Sequence, residues 1–278
     1  MAHNLAFTLK HNSPNVKIGL WIDTELRKSL PDETLFDDIR ILEEKDYRDS
    51  KGRVDPAIAK TQLYRLGTQM ADKFLFLDVD GICINDIEPF LKRLNGLTIA
   101  TEVIDQGKHT DKVEYSIWAT NETIWNHFQL DEDATLCGIQ SSWAYFEKSK
   151  IGDLMQEWLD YYMAVGFPKF KLLQQWGGCV PDELLYQAVY AKIGIVPILP
   201  KVEGGKAPVF FGHGRAKATE TEVLANNYVL SLYGNGKGRT LVQSKYLKLH
   251  DKVLKDYGDK YRFTAKVVMG DKHANGNK

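Results

Sequence analysis

With 278 residues, 44% of them hydrophobic and 26% charged, the chain is long and apolar enough for one large α/β domain or two small ones with an ample core. Its formal net charge of -1 excludes an overall electrostatic pull toward nucleic acid or membrane. No apolar run approaches the roughly 18 residues that span a bilayer and no signal-peptide pattern opens the chain, so a soluble, cytoplasmic protein is expected.

The opening residues fit two periods. Ala2, Leu5, Ala6 and Leu9 sit at helical spacing, while Leu5, Phe7 and Leu9 alternate as in a strand; the stop cluster His11-Asn12-Ser13-Pro14 favours the helix. Val16–Ile22 reads as a buried strand ending at Asp23, and Ile39–Leu42 as a short one. Asp55-Pro56 is a helix start, a capping carboxylate followed by proline at the first helical position. The helix is expected to run on through Leu66, bringing Lys60, Tyr64 and Arg65 near the edge of a sheet. Lys73–Leu77 is then an apolar, aromatic-rich run that stops at Asp78-Val79-Asp80-Gly81. It predicts a buried strand delivering two acids to its carboxyl end, where open α/β sheets collect ligands.

Beyond this point strand and helix signals alternate as in a layered α/β fold. Helices are expected at Asp86–Leu94, Glu122–Phe128, Ile151–Met163 and Leu184–Lys192, and strands at Leu97–Val103, Val113–Ala119 and Gly138–Phe146. Pro181 breaks the chain just before Asp182 and Glu183, which reads as a loop leading into the last of these helices. Ile195–Leu199 is a further strand whose Pro197 calls for an edge position. Gly212-His213-Gly214-Arg215-Ala216-Lys217 sets a histidine and two cations on a glycine-flexible turn. From Lys237 to Lys266 nine cations face three aspartates, a locally basic tail, and Gly270–Lys278 is a polar end. Cys83, Cys137 and Cys179 are odd in number and far apart, supporting neither a disulfide framework nor a zinc knuckle.

Two carboxylates at i, i+2 repel and are costly to desolvate unless a proton or a hard cation lies between them. Mg²⁺ or Mn²⁺ held by Asp78 and Asp80 would complete its coordination with substrate phosphate oxygens. His213 could add an imidazole ligand, and Arg215 and Lys217 could neutralise a diphosphate, so the set describes a site that activates a phosphate leaving group. The plainer alternatives are a solvated acidic turn, a surface histidine and solvated cations.

These motifs resemble those of GT-A-fold glycosyltransferases of the glycogenin and bacterial lipopolysaccharide galactosyltransferase group. Lys73–Asp80 resembles that group's strand and DxD motif. Ile139-Gln140-Ser141-Ser142-Trp143 stands where the group has a strand facing the donor sugar, Pro181-Asp182-Glu183 where it has an Asp-Gln pair nearest the reacting carbon, and Gly212–Lys217 where it has a late His/Gly/Lys segment. The resemblance implies a GT-A-like, Rossmann-like α/β fold with a mostly parallel mixed sheet and helices on both faces. It implies a catalytic domain over residues 1–217, with 218–278 a basic extension packed on it. It further implies a nucleotide-sugar donor, a UDP-sugar, and transfer to an acceptor hydroxyl with retention. Asp78, Asp80 and His213 would hold Mn²⁺ or Mg²⁺; Asp78, Arg65, Gln140 and Lys217 would bind the donor; Asp182 and Glu183 would be catalytic. The chain departs from the group in three ways. It opens in the helix that would follow the base-gripping strand, so either the base is held differently or a segment lies upstream. His213 stands one residue before its glycine rather than three, and Glu183 replaces an amide.

Phe74–Gly81 also resembles the first motif of haloacid-dehalogenase-like phosphatases, with Asp78 as nucleophile, Asp80 as acid/base and Gly270-Asp271 as the last motif. Ile82 stands where that family has threonine, and Asp271 leaves little chain to finish a sheet. A third reading is a nucleic-acid-binding protein using Lys237–Lys266 for salt-sensitive phosphate contacts. Within the glycosyltransferase reading the same tail would suit an anionic acceptor, such as a hydroxymethylated DNA base in a bacteriophage setting.

Overall fold

Asp23, Asp55, Thr120 and Thr219 cap four of the helix starts in the computed structural model, which describes residues 2–49, 51–108, 119–167, 181–200, 208–211, 218–231 and 244–257. Helix α1 (Ala2–Asn12) buries Leu5, Ala6 and Leu9, as the helical reading of its spacing requires. Strand β1 (Gly19–Ile22) leads through Asp23, which caps the single turn α2 (Thr24–Arg27), to β2 (Asp38–Ile41). Asp55 accepts from the Ala57 amide and starts α3 (Pro56–Thr61), with proline in its first turn. The expected continuous helix is broken here: Gln62, at φ −94° and ψ 2°, separates α3 from α4 (Leu63–Met70).

Strands β3 (Lys73–Leu77) and β4 (Gly81–Cys83) flank the two acids, followed by α5 (Glu88–Leu94), β5 (Ile99–Lys108), α6 (Asn121–Phe128) and the long β6 (Thr135–Glu147). Then come α7 (Lys148–Ile151), α8 (Leu154–Val165), α9 (Asp182–Lys192), β7 (Val209–Phe211), α10 (Glu220–Asn226), β8 (Val229–Ser231) and α11 (Ser244–Asp256). The expected strand at Ile195–Leu199 makes a single parallel bridge, Ile198 to Ala100, the edge role that Pro197 demands. Most of the expected strand Val113–Ala119 lies outside the described residues.

β6 is the central strand of one sheet, between β3 and β5 and antiparallel to both. Thr135 lies opposite Lys108, so β6 turns back beside β5 and thereby runs against β3 as well. A second sheet has the order β4-β8-β7, antiparallel then parallel, and β1 pairs with β2 in parallel. The sheets are thus mixed and not fully parallel. Helices cover both faces of the central sheet. Trp125, Phe128, Leu159, Tyr162 and Leu185 pack with Phe146 on one side, while Leu5, Leu9 and Phe90 pack with Trp143 and Tyr145 on the other. A third cluster of Ile82, Val223, Leu230, Leu249 and Leu254 ties α10, β8 and α11 to β4. Residues beyond 217 therefore supply a strand that hydrogen-bonds directly to the one following the acidic pair.

Helix α4 lies so close to β3 that a Cβ at Gly67 would fall 2.2 Å from the Phe74 ring. Gly67→Ala is expected to cost about 1–3 kcal/mol through this overpacking. An unchanged denaturant midpoint would contradict such close packing.

Candidate active site

β6 departs from its partner in the middle. Thr101 pairs with Ala144, but the next residue of β5, Glu102, pairs with Gln140, so Ser141, Ser142 and Trp143 leave the ladder with β5. Trp143 and Ser142 stay with β3 instead: Leu77 pairs with Trp143, and the Asp78 amide donates to the Ser142 carbonyl at 2.8 Å. The buried Thr101 hydroxyl closes the mouth of this bulge, 2.8 Å from the Trp143 carbonyl and 3.2 Å from that of Gln140. Trp143, fully buried edge-on against Phe90, anchors it from below.

The bulge brings two serines to the carboxyl end of β3, where α9 begins. The Ser141 hydroxyl donates to Asp182 Oδ2 at 2.7 Å and its amide to Glu183 Oε1 at 3.2 Å. Both acids stand in the first turn of α9, where the helix dipole favours negative charge, rather than in the loop expected before it. From the opposite side, Lys60 near the end of α3 reaches Asp78 at 2.9 Å and Asp182 at 4.0 Å, and lies 3.4 Å from both oxygens of Ser141. The Tyr186 hydroxyl, one turn into α9, donates to the Lys60 carbonyl at 2.9 Å and fastens α3 to α9. Asp80 faces β8, its Oδ1 3.4 Å from the Ser231 hydroxyl.

The electrostatics are those of carboxylates short of solvation. Burial pushes the Asp78 carboxyl up to about 7; Lys60 opposes this and Asp80 adds to it. Burial also raises Asp80, against the opposing pull of Lys60 and Ser231. Burial alone would lower Lys60, but Asp78, Asp182 and Glu183 outweigh it and hold the ammonium above its usual range. Two hard oxygen donors that burial pushes toward protonation suit a small divalent cation. The Ser142 hydroxyl, buried at the same turn, has no hydrogen-bond partner among the described residues. No cluster of three or more His, Cys, Asp or Glu suited to a metal occurs among the described residues, so such an ion would need further ligands from elsewhere, such as substrate phosphate.

Of the residues singled out in the sequence, Asp78, Asp182 and Glu183 converge on Lys60 and Ser141, and Asp80 adjoins them. Gln140 sits at the start of the bulge, opposite Glu102. Arg65 does not join this group: beyond the break at Gln62 it pairs with Asp46 at 2.6 Å and Gln62 at 3.0 Å. His213, Arg215 and Lys217 lie outside the described residues, as does Asp271. Lys60, Ser141, Ser142 and Ser231 complete the site. Two adjacent serines inside an otherwise apolar strand were the available signal for the bulge.

Ser141→Ala removes a donor from the buried Asp182 carboxylate and is expected to cost about 1–3 kcal/mol of stability. A denaturant titration with the wild-type midpoint would mean that this contact holds nothing in place.

Neither a protein-family model nor a curated relative matches the sequence. Solved structures do match in fold. The bifunctional glycosyltransferase WbbM superposes with a TM-score of 0.50 at 12% identity over 98% of this chain, which spans about half of that enzyme (49%). The galactosyltransferase LgtC, solved with donor and acceptor sugar analogs, gives 0.49 at 12% identity, covering 90% of this chain and 89% of that one. Mouse xyloside xylosyltransferase 1 gives 0.36 at 11% identity, covering 68% and 74%. The fold is that of the GT-A glycosyltransferases, an α/β architecture in which the acidic pair follows β3, beside the central strand β6.

Proposed function

We propose that this chain is a metal-dependent glycosyltransferase that moves a sugar from a nucleotide-sugar donor, a UDP-sugar, to an acceptor hydroxyl with retention of configuration. The observation that carries the reading is the convergence of Asp78, Lys60, Ser141 and Asp182 at the end of β3 in a GT-A fold. Asp78 and Asp80 would hold Mn²⁺ or Mg²⁺, with His213 as a further ligand; the ion supplies charge neutralisation for a diphosphate leaving group. Lys217 would add positive charge on that side. Asp182, fixed by Ser141, orients the donor sugar, and Gln140 contributes from the bulge. Glu183, steadied by the Ser141 amide, faces the positive charge that develops on the sugar. Both α9 carboxylates accept hydrogen bonds from Ser141, which suits positioning and charge stabilisation better than abstraction of an acceptor proton, and this supports retention.

The fold favours this reading over the phosphatase reading of the same two aspartates. No helix among the described residues is long and apolar enough to cross a membrane. α11 exposes Lys248, Lys252 and Lys255 while burying Leu249 and Leu254, a cationic face that suits an anionic acceptor, a hydroxymethylated DNA base among them. The test is donor turnover: incubation with a panel of nucleotide sugars and Mn²⁺, with and without EDTA, read as release of nucleoside diphosphate. Metal-dependent release from at least one donor is expected. Release from none, with or without metal, would contradict the reading.

A further inference from the structure

Lys60 occupies an unusual place for a cation. Its ammonium lies 2.9 Å from Oδ1 and 2.9 Å from Oδ2 of Asp78, so it bridges both oxygens of a carboxylate assigned above to a divalent ion. Solvent still reaches both partners, whose side chains are 27% and 24% exposed, so an ion can arrive without unfolding anything. A divalent ion held by Asp78 would compete with the ammonium for the same oxygens, and repulsion between the two cations would favour displacement of the ammonium. A second set of acceptors stands within a small swing of the same flexible stem: Asp182 Oδ2 at 4.0 Å, and the carbonyl and hydroxyl oxygens of Ser141, each at 3.4 Å. The stem's root is fixed, because Tyr186 holds the Lys60 carbonyl.

We propose that Lys60 is a tethered competitor for the cation: it neutralises Asp78 in the empty site and, when the divalent ion arrives, transfers to Asp182 and Ser141. The exchange keeps Asp78 paired with a cation at every stage, so it is never left desolvated and unneutralised, while Asp182 keeps its hydrogen bond from Ser141 throughout. It also couples the two halves of the site, since cation binding delivers positive charge to the acid that orients the sugar. This rests on the assignment of Asp78 and Asp80 to the metal.

The test is direct Mn²⁺ binding, by titration calorimetry and by the loss of the free-ion electron paramagnetic resonance signal, on folded protein without donor. Lys60→Met is expected to tighten Mn²⁺ binding about tenfold or more, because the competitor is gone. Asp182→Asn, which removes the place where the ammonium goes, is expected to weaken binding several-fold while Lys60 is present and to change nothing in the Lys60→Met background. If Lys60→Met does not fold, the effect of Asp182→Asn alone decides. Wild-type binding that is lost in Asp80→Asn but unaltered or weakened in Lys60→Met would overturn the exchange and leave the metal assignment standing. Absence of Mn²⁺ binding from wild type and all variants would overturn both.

Discussion

Asp80→Asn is expected to lower metal-dependent donor turnover by at least about a hundredfold, the scale on which loss of a single charge-stabilising group acts. The fold should not suffer. The substitution keeps the shape of the side chain and its contact with Ser231, and it removes a charge that burial already disfavours. The sign follows from linkage. A carboxyl raised in the folded state binds its proton more tightly there than in the unfolded chain, so its effect is to lower stability as pH rises through the raised value. Metal-free Asp80→Asn should therefore be as stable as wild type or more stable at neutral pH, a trade of stability for function common at active sites. Thermal melts beside turnover measurements separate the two effects. An inactive variant that is also unfolded would assign Asp80 to structure, and an active one would remove it from the site.

Trp143→Ala is expected to have the largest effect on stability, about 3–5 kcal/mol for an aromatic removed from a fully buried position. That corresponds to a drop in melting temperature on the order of 10 °C. Turnover should fall further than stability alone explains, at a temperature where the variant is still folded. Trp143, packed edge-on against Phe90, anchors the bulge that sets Ser141 against Asp182 and the Ser142 carbonyl against the Asp78 amide. A variant that lost stability but kept wild-type turnover would show that the bulge does not depend on its anchor.

The acidic pair was legible because an apolar run of four residues, Phe74–Leu77, ended in Asp-x-Asp-Gly, a pattern with few structural outcomes. Asp182 and Glu183 were legible through Pro181, which marks a chain break, although they open the helix instead of preceding it. Lys60 and Arg65 show why local pattern runs out. In one continuous helix both approach the sheet edge, but the break at Gln62 ends α3 with Lys60 facing Asp78 and turns Arg65 toward Asp46, a partner from a distant loop. The bulge was hidden for a different reason. β6 is buried on both faces from Ser141 to Glu147, so its sequence carries no alternation from which a register shift could be read, and Thr101, which closes the bulge, lies on another strand. β8 has three residues, too few for any periodicity, and so merged with the tail although it supports Asp80 from behind.

Under the proposed function, Asp78 and Asp80 hold a divalent cation against a nucleoside diphosphate. A thermal-shift panel of wild type and Asp80→Asn with Mn²⁺ alone, each nucleoside diphosphate alone, and the two together tests it most directly. A ligand at a hundredfold excess over its dissociation constant stabilises the folded state by about 2.7 kcal/mol. A shift of that size is expected in wild type with Mn²⁺ and one nucleoside diphosphate, UDP, and none in Asp80→Asn. An equal shift in Asp80→Asn, or no shift in wild type with any pair, would contradict that assignment.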